Sequence, residues 1–171
     1  MKATMQKIDR MIEPLRKLAD FAGTPLLLLV IRIHVATIFF ASGWGRFKDY
    51  ASDNWDTQLF LFEYEHPVPG LSPSLAAPMT TIAELILPIL VAFGLFGRLG
   101  AASMIVMTTI IEFTYNHPEI SLDVCLYKTG LLSCLYRTDH IVWITMLLVI
   151  LVMGPGKLSL DTLVRKWLGG K

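Results

Sequence analysis

The sequence predicts an all-α protein that crosses a membrane several times, built as one bundle of four transmembrane helices. Two observations carry this prediction. The composition is too apolar for a soluble domain of 171 residues, since 54% of the residues are hydrophobic and the mean hydropathy is +0.56. The apolar residues also form four blocks, each near the length of about 20 residues that crosses a bilayer as a helix. These blocks are residues 22–43, 76–97, 99–115 and 140–155.

Basic residues around the blocks predict the topology. Most of them lie before the first block, between the second and third, or after the fourth: Lys2, Lys7, Arg10, Arg16, Lys17, Arg98, Lys157, Arg165, Lys166 and Lys171. Because basic residues accumulate in cytoplasmic segments, both termini are predicted to be cytoplasmic, with residues 44–75 and 116–138 as outer loops. The chain is therefore predicted to be a multi-pass protein of the bacterial cytoplasmic (inner) membrane. Its basic residues form no face of the kind that binds nucleic acid.

The two ends of the chain predict short amphipathic helices rather than free tails. Apolar residues recur at helical spacing within residues 1–20 and 159–168, with basic residues outside the apolar stripe. Helices of this kind lie in the headgroup region of a membrane. Ser159 or Asp161 is placed to cap the second of them. All these segments are assigned to a single membrane domain of residues 1–171, whose main contact is the lipid bilayer.

Ionisable residues inside the blocks are the first candidates for a site. Arg32 and His34 fall in the first block, Glu84 in the second, Glu112 near the end of the third, and His140 at the start of the fourth. An ionised side chain at membrane depth costs at least about 2.5–3.5 kcal/mol, so such residues usually have a partner or a function.

Helix geometry predicts which of these residues meet. Counted at a rise of about 1.5 Å per residue, Arg32, Glu84 and Glu112 fall at similar depths in the outer half of the bilayer. An Arg32–Glu84 pair with Glu112 as a third member is the simplest arrangement. His34 points elsewhere, because two residues correspond to about 200° around a helix. Structural explanations stay open: a buried ion pair can serve packing alone, Glu112 can be a solvated carboxylate, and His140 can belong to a helix cap.

The faces of the first two helices support contact between them. Arg32, Gly43 and Arg46 share one face of the first helix, while Glu84 and Pro88 share a face of the second. Small residues on the same faces allow helices to approach closely, which is typical of a bundle interior.

The two cysteines, Cys125 and Cys134, both lie in the second predicted outer loop. An oxidising compartment permits a disulfide between them, and two free thiols or a redox pair are the alternatives. Metal handling on the outer face is a further hypothesis, with His66, His117 and His140 beside the cysteines as ligands. These residues lack the compact spacing of a metal site, so the sequence predicts no bound metal and keeps His117 and His140 as weak candidates.

Several motifs make the chain similar to a known family. They are Arg32, Gly43-Trp44-Gly45-Arg46-Phe47, Ala83-Glu84, Gly94-Leu95-Phe96-Gly97-Arg98, Ala101-Ala102, His117 and, most specific of all, the segment from Gly154 to Asp161. Through these motifs, nearly all of residues 25–165 resembles DoxX-like membrane proteins. The glycine-rich turn and glutamate that often precede the fourth span in similar proteins are replaced here by Thr138-Asp139-His140.

The resemblance implies a four-helix membrane subunit of a redox or stress-response system, and some similar proteins look like quinone-reducing partners in thiosulfate oxidation. The residues permit a quinone site. Arg32, His34 and Glu84 are the candidates that would bind the quinone head. Arg32, Glu84 and Glu112 are the candidate catalytic residues, with the two carboxylates transferring protons.

Two other functions remain as alternatives. The first is a non-catalytic anchor or assembly partner, whose protein partner would bind the outer loops through the apolar and acidic segment Trp55–Tyr64. The second is an accessory to metal-stress handling. The sequence leaves open whether the chain is itself an enzyme and whether it forms a homo-oligomer.

Overall fold

The computed structural model describes residues 2–114 and 139–169, and all regular secondary structure in these ranges is helical. The helices are α1 (Lys2–Leu18), a π-helical segment (Ala19–Gly23), α2 (Thr24–Ala51), α3 (Trp55–Tyr64), α4 (Pro73–Phe93), α5 (Gly97–Thr114), α6 (Asp139–Met153) and α7 (Leu160–Trp167). Cys125, Cys134 and His117 lie outside the described residues, as does the whole of the predicted outer loop 116–138.

Helices α1 and α2 form one continuous helix, joined by the π-helical segment. The sequence predicted a separate helix over residues 1–20 and a first span that ends at Gly43. The helix that contains this predicted span continues past Gly43 to Ala51. Gly43 does not end the helix. It allows α4 to approach, since a Cβ at this position would lie 2.7 Å from the Cβ of Glu84.

The segment from Trp55 to Tyr64 is helix α3, and it is only partly available as a docking surface. Phe62 is buried against Ala76 and Ala77 at the start of α4. Phe60 and Tyr64 remain exposed on the other side of α3. The predicted outer loop 44–75 is therefore largely helical and folds back on the bundle.

The bundle is built from two tightly packed helix pairs, α2 with α4 and α5 with α6. Its core contains Val35, Phe39, Val91, Ala101, Met104, Leu147 and Ile150, all buried. Phe39 of α2 and Trp143 of α6 meet edge to face with ring centroids 5.4 Å apart. Edge-to-face aromatic contacts of this kind contribute about 0.5–1.5 kcal/mol beyond the area they bury.

The outside of the bundle is apolar over much of its length. Leu27 and Val30 of α2 are 60% and 62% exposed. Two helical stretches in the described residues, Ile8–Ala51 and Pro73–Phe93, are long and apolar enough to cross a membrane by length and composition. The third and fourth predicted spans correspond to α5 and α6, of which α6 is apolar but 15 residues long. The described ranges thus form an all-helical protein with membrane-like helices.

Candidate functional site

Two groups of residues, each built around a buried charged side chain, lie at different levels of the α2–α4 pair. Gly43 of α2 lies against Glu84 of α4, whereas Arg32 of α2 lies against Gly94, which follows α4. The stretch from Arg32 to Gly43 covers about 16 Å along a helix. The predicted Arg32–Glu84 pair is therefore wrong. The depth estimate assumed that the first span begins near Phe21, whereas the helix runs through this point without a break and Arg32 lies at the level of the α4–α5 turn.

The first group, here named the turn cluster, contains Arg32, Gly94, Leu158, Ser159 and Asp161. Arg32 is fully buried, and its Nη2 donates a 2.5 Å hydrogen bond to the carbonyl oxygen of Leu158. The carboxylate of Asp161 attracts the Arg32 guanidinium. Gly94 leaves room for that guanidinium, because any Cβ at this left-handed position (φ +66°) would collide with Arg32 Nη1. Arg32 thus joins α2 to the C-terminal segment.

Asp161 connects the same segment to the beginning of α5. Its Oδ1 accepts a 2.9 Å hydrogen bond from the amide of Phe96, and its Oδ2 accepts a 3.1 Å bond from the amide of Gly97. The amide of Asp161 donates in return to the carbonyl oxygen of Gly94 at 3.0 Å. Free amides at a helix start favour a nearby carboxylate. Asp161 therefore caps α5 from a distant part of the chain.

Ser159 caps α7, as the sequence predicted. Its Oγ accepts from the amide of Thr162 at 3.3 Å and also donates to the carbonyl oxygen of Gly156 at 2.7 Å. Gly154 and Gly156 adopt φ angles of +81° and +82°, which form the turn between α6 and α7. Glycine adopts this left-handed conformation without the steric cost that other residues incur.

The second group, here named the pocket cluster, contains Ser42, Arg46, Phe62, His66 and Glu84. Arg46 Nε lies 3.5 Å from Glu84 Oε2, and the two side chains are 17% and 3% exposed. The side chain of Ser42 lies close enough to Glu84 to interact with its carboxylate. The Arg46 guanidinium also lies 5.1 Å from the ring centroid of Phe62, a cation–π contact. Arg46 Nη1 is buried and has no hydrogen-bond partner in the described part of the chain.

A cavity of about 290 Å³, here named the lateral pocket, opens beside this cluster. Arg46 and His66 provide its main polar groups. Its apolar wall comes from Phe62, Leu71, Leu87, Val106, Met107 and Ile110. An apolar cavity with a few convergent polar groups is the usual form of a small-molecule site. The lateral pocket is therefore suited to hold a small, largely apolar ligand that accepts a hydrogen bond.

Glu112 belongs to neither cluster. Its Oε2 lies 2.6 Å from Nδ1 of His140, so the pair joins α5 to α6. The His140 ring also meets Trp143 edge to face at 4.9 Å. Glu112 was expected as the third member of an Arg32–Glu84 group, but its partner lies on another helix.

His34 is exposed on α2, away from buried Arg32, as the helical period predicted. Within residues 2–114 and 139–169, no three His, Cys, Asp or Glu side chains come together as a metal site would need.

Sequence reasoning did not assign Arg46 or Asp161 to a site. Arg46 could have been found, because it shares a helix face with Gly43, where α2 meets α4.

Comparison with known proteins identifies the family. The DoxX family model matches residues 27–117, which is more than half of the chain. The chain belongs to the DoxX family. An uncharacterized protein of Haemophilus influenzae is 27% identical to this DoxX protein over 144 residues, a stretch that covers 84% of the chain and 87% of that relative. No solved structure matches the chain. The family match includes the pocket cluster, whereas Asp161 lies beyond it.

Proposed function

We propose that this DoxX protein is a quinone-binding subunit of a redox or stress-response system. In this proposal the chain forms one domain that crosses the bacterial inner membrane four times, with both termini in the cytoplasm. The lateral pocket carries the proposal, because it joins an apolar wall to a buried guanidinium. A quinone has the same division between an apolar ring and tail and two hydrogen-bond-accepting carbonyls.

The geometry of Arg46 supports this role. Its Nη1 has no hydrogen-bond partner among the described residues, so it can donate to a ligand carbonyl. Its Nε stays near Glu84, and Phe62 supports the guanidinium plane. A buried donor held in place by other contacts loses little freedom when it binds a ligand. Arg46 thus takes the binding role that the sequence suggested for Arg32.

Glu84 is the proposed proton-transferring residue of the site. It is almost fully buried, and its carboxylate lies 3.5 Å from Arg46, which lines the pocket. A bound quinone would supply the redox chemistry, taking up two electrons and two protons when it is reduced to a quinol. Glu84 would move a proton at its carboxylate oxygen, and the Glu112–His140 pair offers a second group able to do so. The electrons would come from a partner protein.

The test is quinone binding by the full chain purified in mild detergent. Wild type is expected to retain quinone in an organic extract or to bind added quinone with one site per chain. Arg46→Met should weaken binding about tenfold or more, because it leaves a quinone carbonyl without its charged donor. Lys48→Met is the matched control, since Lys48 is exposed on the same helix and outside the pocket. A wild-type protein that neither retains nor binds quinone would overturn the proposal.

A second candidate function is an assembly partner for another membrane protein. The exposed rings of Phe60 and Tyr64 on α3 favour it, because they pack together with centroids 4.8 Å apart beside two acidic residues, Glu63 and Glu65. The double variant Phe60→Ser and Tyr64→Ser should abolish co-purification of a partner and leave quinone binding unchanged. Loss of quinone binding in this variant would contradict the separation of the two surfaces.

A further inference from the structure

A second cavity lies at the end of the bundle that holds the turn cluster. It has a volume of about 460 Å³ and forms where the α4–α5 turn, the end of α6 and the start of α7 meet. Pro155 packs directly against Gly97, where any Cβ would lie 2.7 Å from the Cβ of Pro155. The capping contacts of Asp161 hold the same elements together. The cavity is therefore shaped by the most specific motif of the sequence, the segment from Gly154 to Asp161.

Three cationic side chains line this cavity: Arg98, Lys157 and Arg165. Asp161 is the acidic residue in the lining, and both of its carboxylate oxygens already accept backbone hydrogen bonds from the start of α5. The buried guanidinium of Arg32 also attracts this carboxylate. The side of the cavity open to a ligand is thus positively charged and suited to an anion.

Contacts within the protein position two of the three cations. Arg98 Nη2 donates to the carbonyl oxygen of Val152 at 3.3 Å, which fixes the guanidinium across the end of α6. Lys157 Nζ lies 5.9 Å from the ring centroid of Phe21. Arg165 is exposed in the last turn of α7. A guanidinium fork positioned in this way matches the oxygens of a phosphate group.

The rim of the cavity is apolar and exposed. Phe96, Leu99 and Met153 are 60%, 68% and 56% exposed, and Val164 of α7 lies beside them. A soluble anion would leave these side chains in water. A phospholipid would contact them with its acyl chains while its phosphate meets the cations. Basic pockets between transmembrane helices bind lipid headgroups by the same combination of contacts.

We infer that this cavity binds the headgroup of an anionic phospholipid, with Arg98, Lys157 and Arg165 contacting the phosphate and the apolar rim contacting the acyl chains. The site is separate from the lateral pocket and does not depend on the proposed quinone function. A lipid headgroup and free phosphate would both present a phosphate group to the three cations. The exposed apolar rim favours the lipid, because its acyl chains can contact the rim.

The test is a native mass-spectrometry titration of the full chain in mild detergent. The ligands are phosphatidylglycerol and phosphatidylcholine with the same acyl chains, together with inorganic phosphate as a competitor. Wild type is expected to bind phosphatidylglycerol more tightly than phosphatidylcholine. The double variant Arg98→Gln and Arg165→Gln should lose about tenfold or more of that affinity, given the attraction that each basic residue adds.

The matched control removes the same number of arginines from α1. Arg10→Gln combined with Arg16→Gln should change the affinity by less than about twofold, because exposed charges away from the bound phosphate are screened. The single variant Arg165→Gln is included because Arg165 is exposed and its replacement should not disturb folding. Circular dichroism checks the helix content of each variant. This single variant should weaken phosphatidylglycerol binding more than the control double variant does.

Three results would overturn the inference. The first is equal affinity of wild type for the two lipids. The second is an equal loss of affinity in the cavity variants and the α1 control, which would indicate general surface attraction. The third is complete displacement of phosphatidylglycerol by excess inorganic phosphate, which would make the cavity a site for a soluble anion.

Discussion

Two arginines on one face of the same long helix meet very different surroundings. Arg32 is enclosed by the turn cluster, where its Nη2 holds the carbonyl oxygen of Leu158. Arg46 lies beside Glu84 and lines the lateral pocket. Both arginines keep buried nitrogens without a hydrogen-bond partner among the described residues, Nε and Nη1 of Arg32 and Nη1 of Arg46, so the difference between them is the cavity beside Arg46. A buried arginine in this bundle therefore joins two segments of the chain where a turn encloses it, and faces a possible ligand only where it lines a cavity.

The largest expected effect comes from Arg32. Arg32→Met should lower the free energy of unfolding by about 3–5 kcal/mol, since it leaves the Leu158 carbonyl and Asp161 without their buried cationic partner. The measurement is denaturant unfolding in detergent, followed by circular dichroism. Lys48→Met is the control and should stay within about 0.5 kcal/mol of wild type, as exposed sites usually do. A change below about 1 kcal/mol for Arg32→Met would contradict a structural role for this residue.

Glycine substitutions sharpen the same contrast. Gly94→Ala should destabilise the protein by about 2 kcal/mol or more, because alanine is strained at positive φ and its Cβ would displace the Arg32 guanidinium. Gly45→Ala is the matched control. Gly45 is helical, and a Cβ added there would have no neighbouring atom within 4 Å, so alanine should be neutral or stabilise by about 0.5–1 kcal/mol. Equal melting temperatures for the two variants would argue against close packing at Gly94.

The cap formed by Asp161 should have an intermediate effect. Asp161→Ala removes two hydrogen bonds to the start of α5, and we expect a loss of about 1–2 kcal/mol in unfolding free energy. Hydrogen exchange should show faster exchange at the amides of Phe96 and Gly97. Ser159→Ala serves as the comparison, because it should affect the amide of Thr162 instead. Unchanged exchange at Phe96 in Asp161→Ala would contradict the capping role.

The smallest stability effect is expected at Arg46. Arg46→Met should lower the free energy of unfolding by about 1 kcal/mol, less than Arg32→Met, because the Arg46 side chain is partly exposed and its Nε lies 3.5 Å from Glu84, longer than the hydrogen bond of Arg32. Its main effect is the loss of quinone binding described above. A double-mutant cycle of Arg46→Met with Glu84→Gln measures the coupling within the pair. Destabilisation as large as that of Arg32→Met would remove the distinction between the two arginines.

Much of the helical architecture follows from the sequence, because the signals for it are local. The apolar blocks located α2, α4, α5 and α6, and the spacing of apolar residues located the helical ends of the chain. Ser159 was correctly placed as a helix cap, since its partner Thr162 is three residues away. The outward direction of His34 followed from the helical period alone. Each of these features depends on residues within a few turns of one another.

The charge pairs depended on tertiary structure. They require the register between helices, which is set by close contacts at Gly43 and Gly94 that no single helix reveals. In this register Gly43 lies against Glu84, so that Arg46 and not Arg32 meets the carboxylate. The sequence by itself determined which residues are costly to bury. The packing of α2 on α4 decided which of them meet, because the register between two antiparallel helices sets every partner along the pair, and it separates Arg32 from the level of Glu84 by about three helical turns.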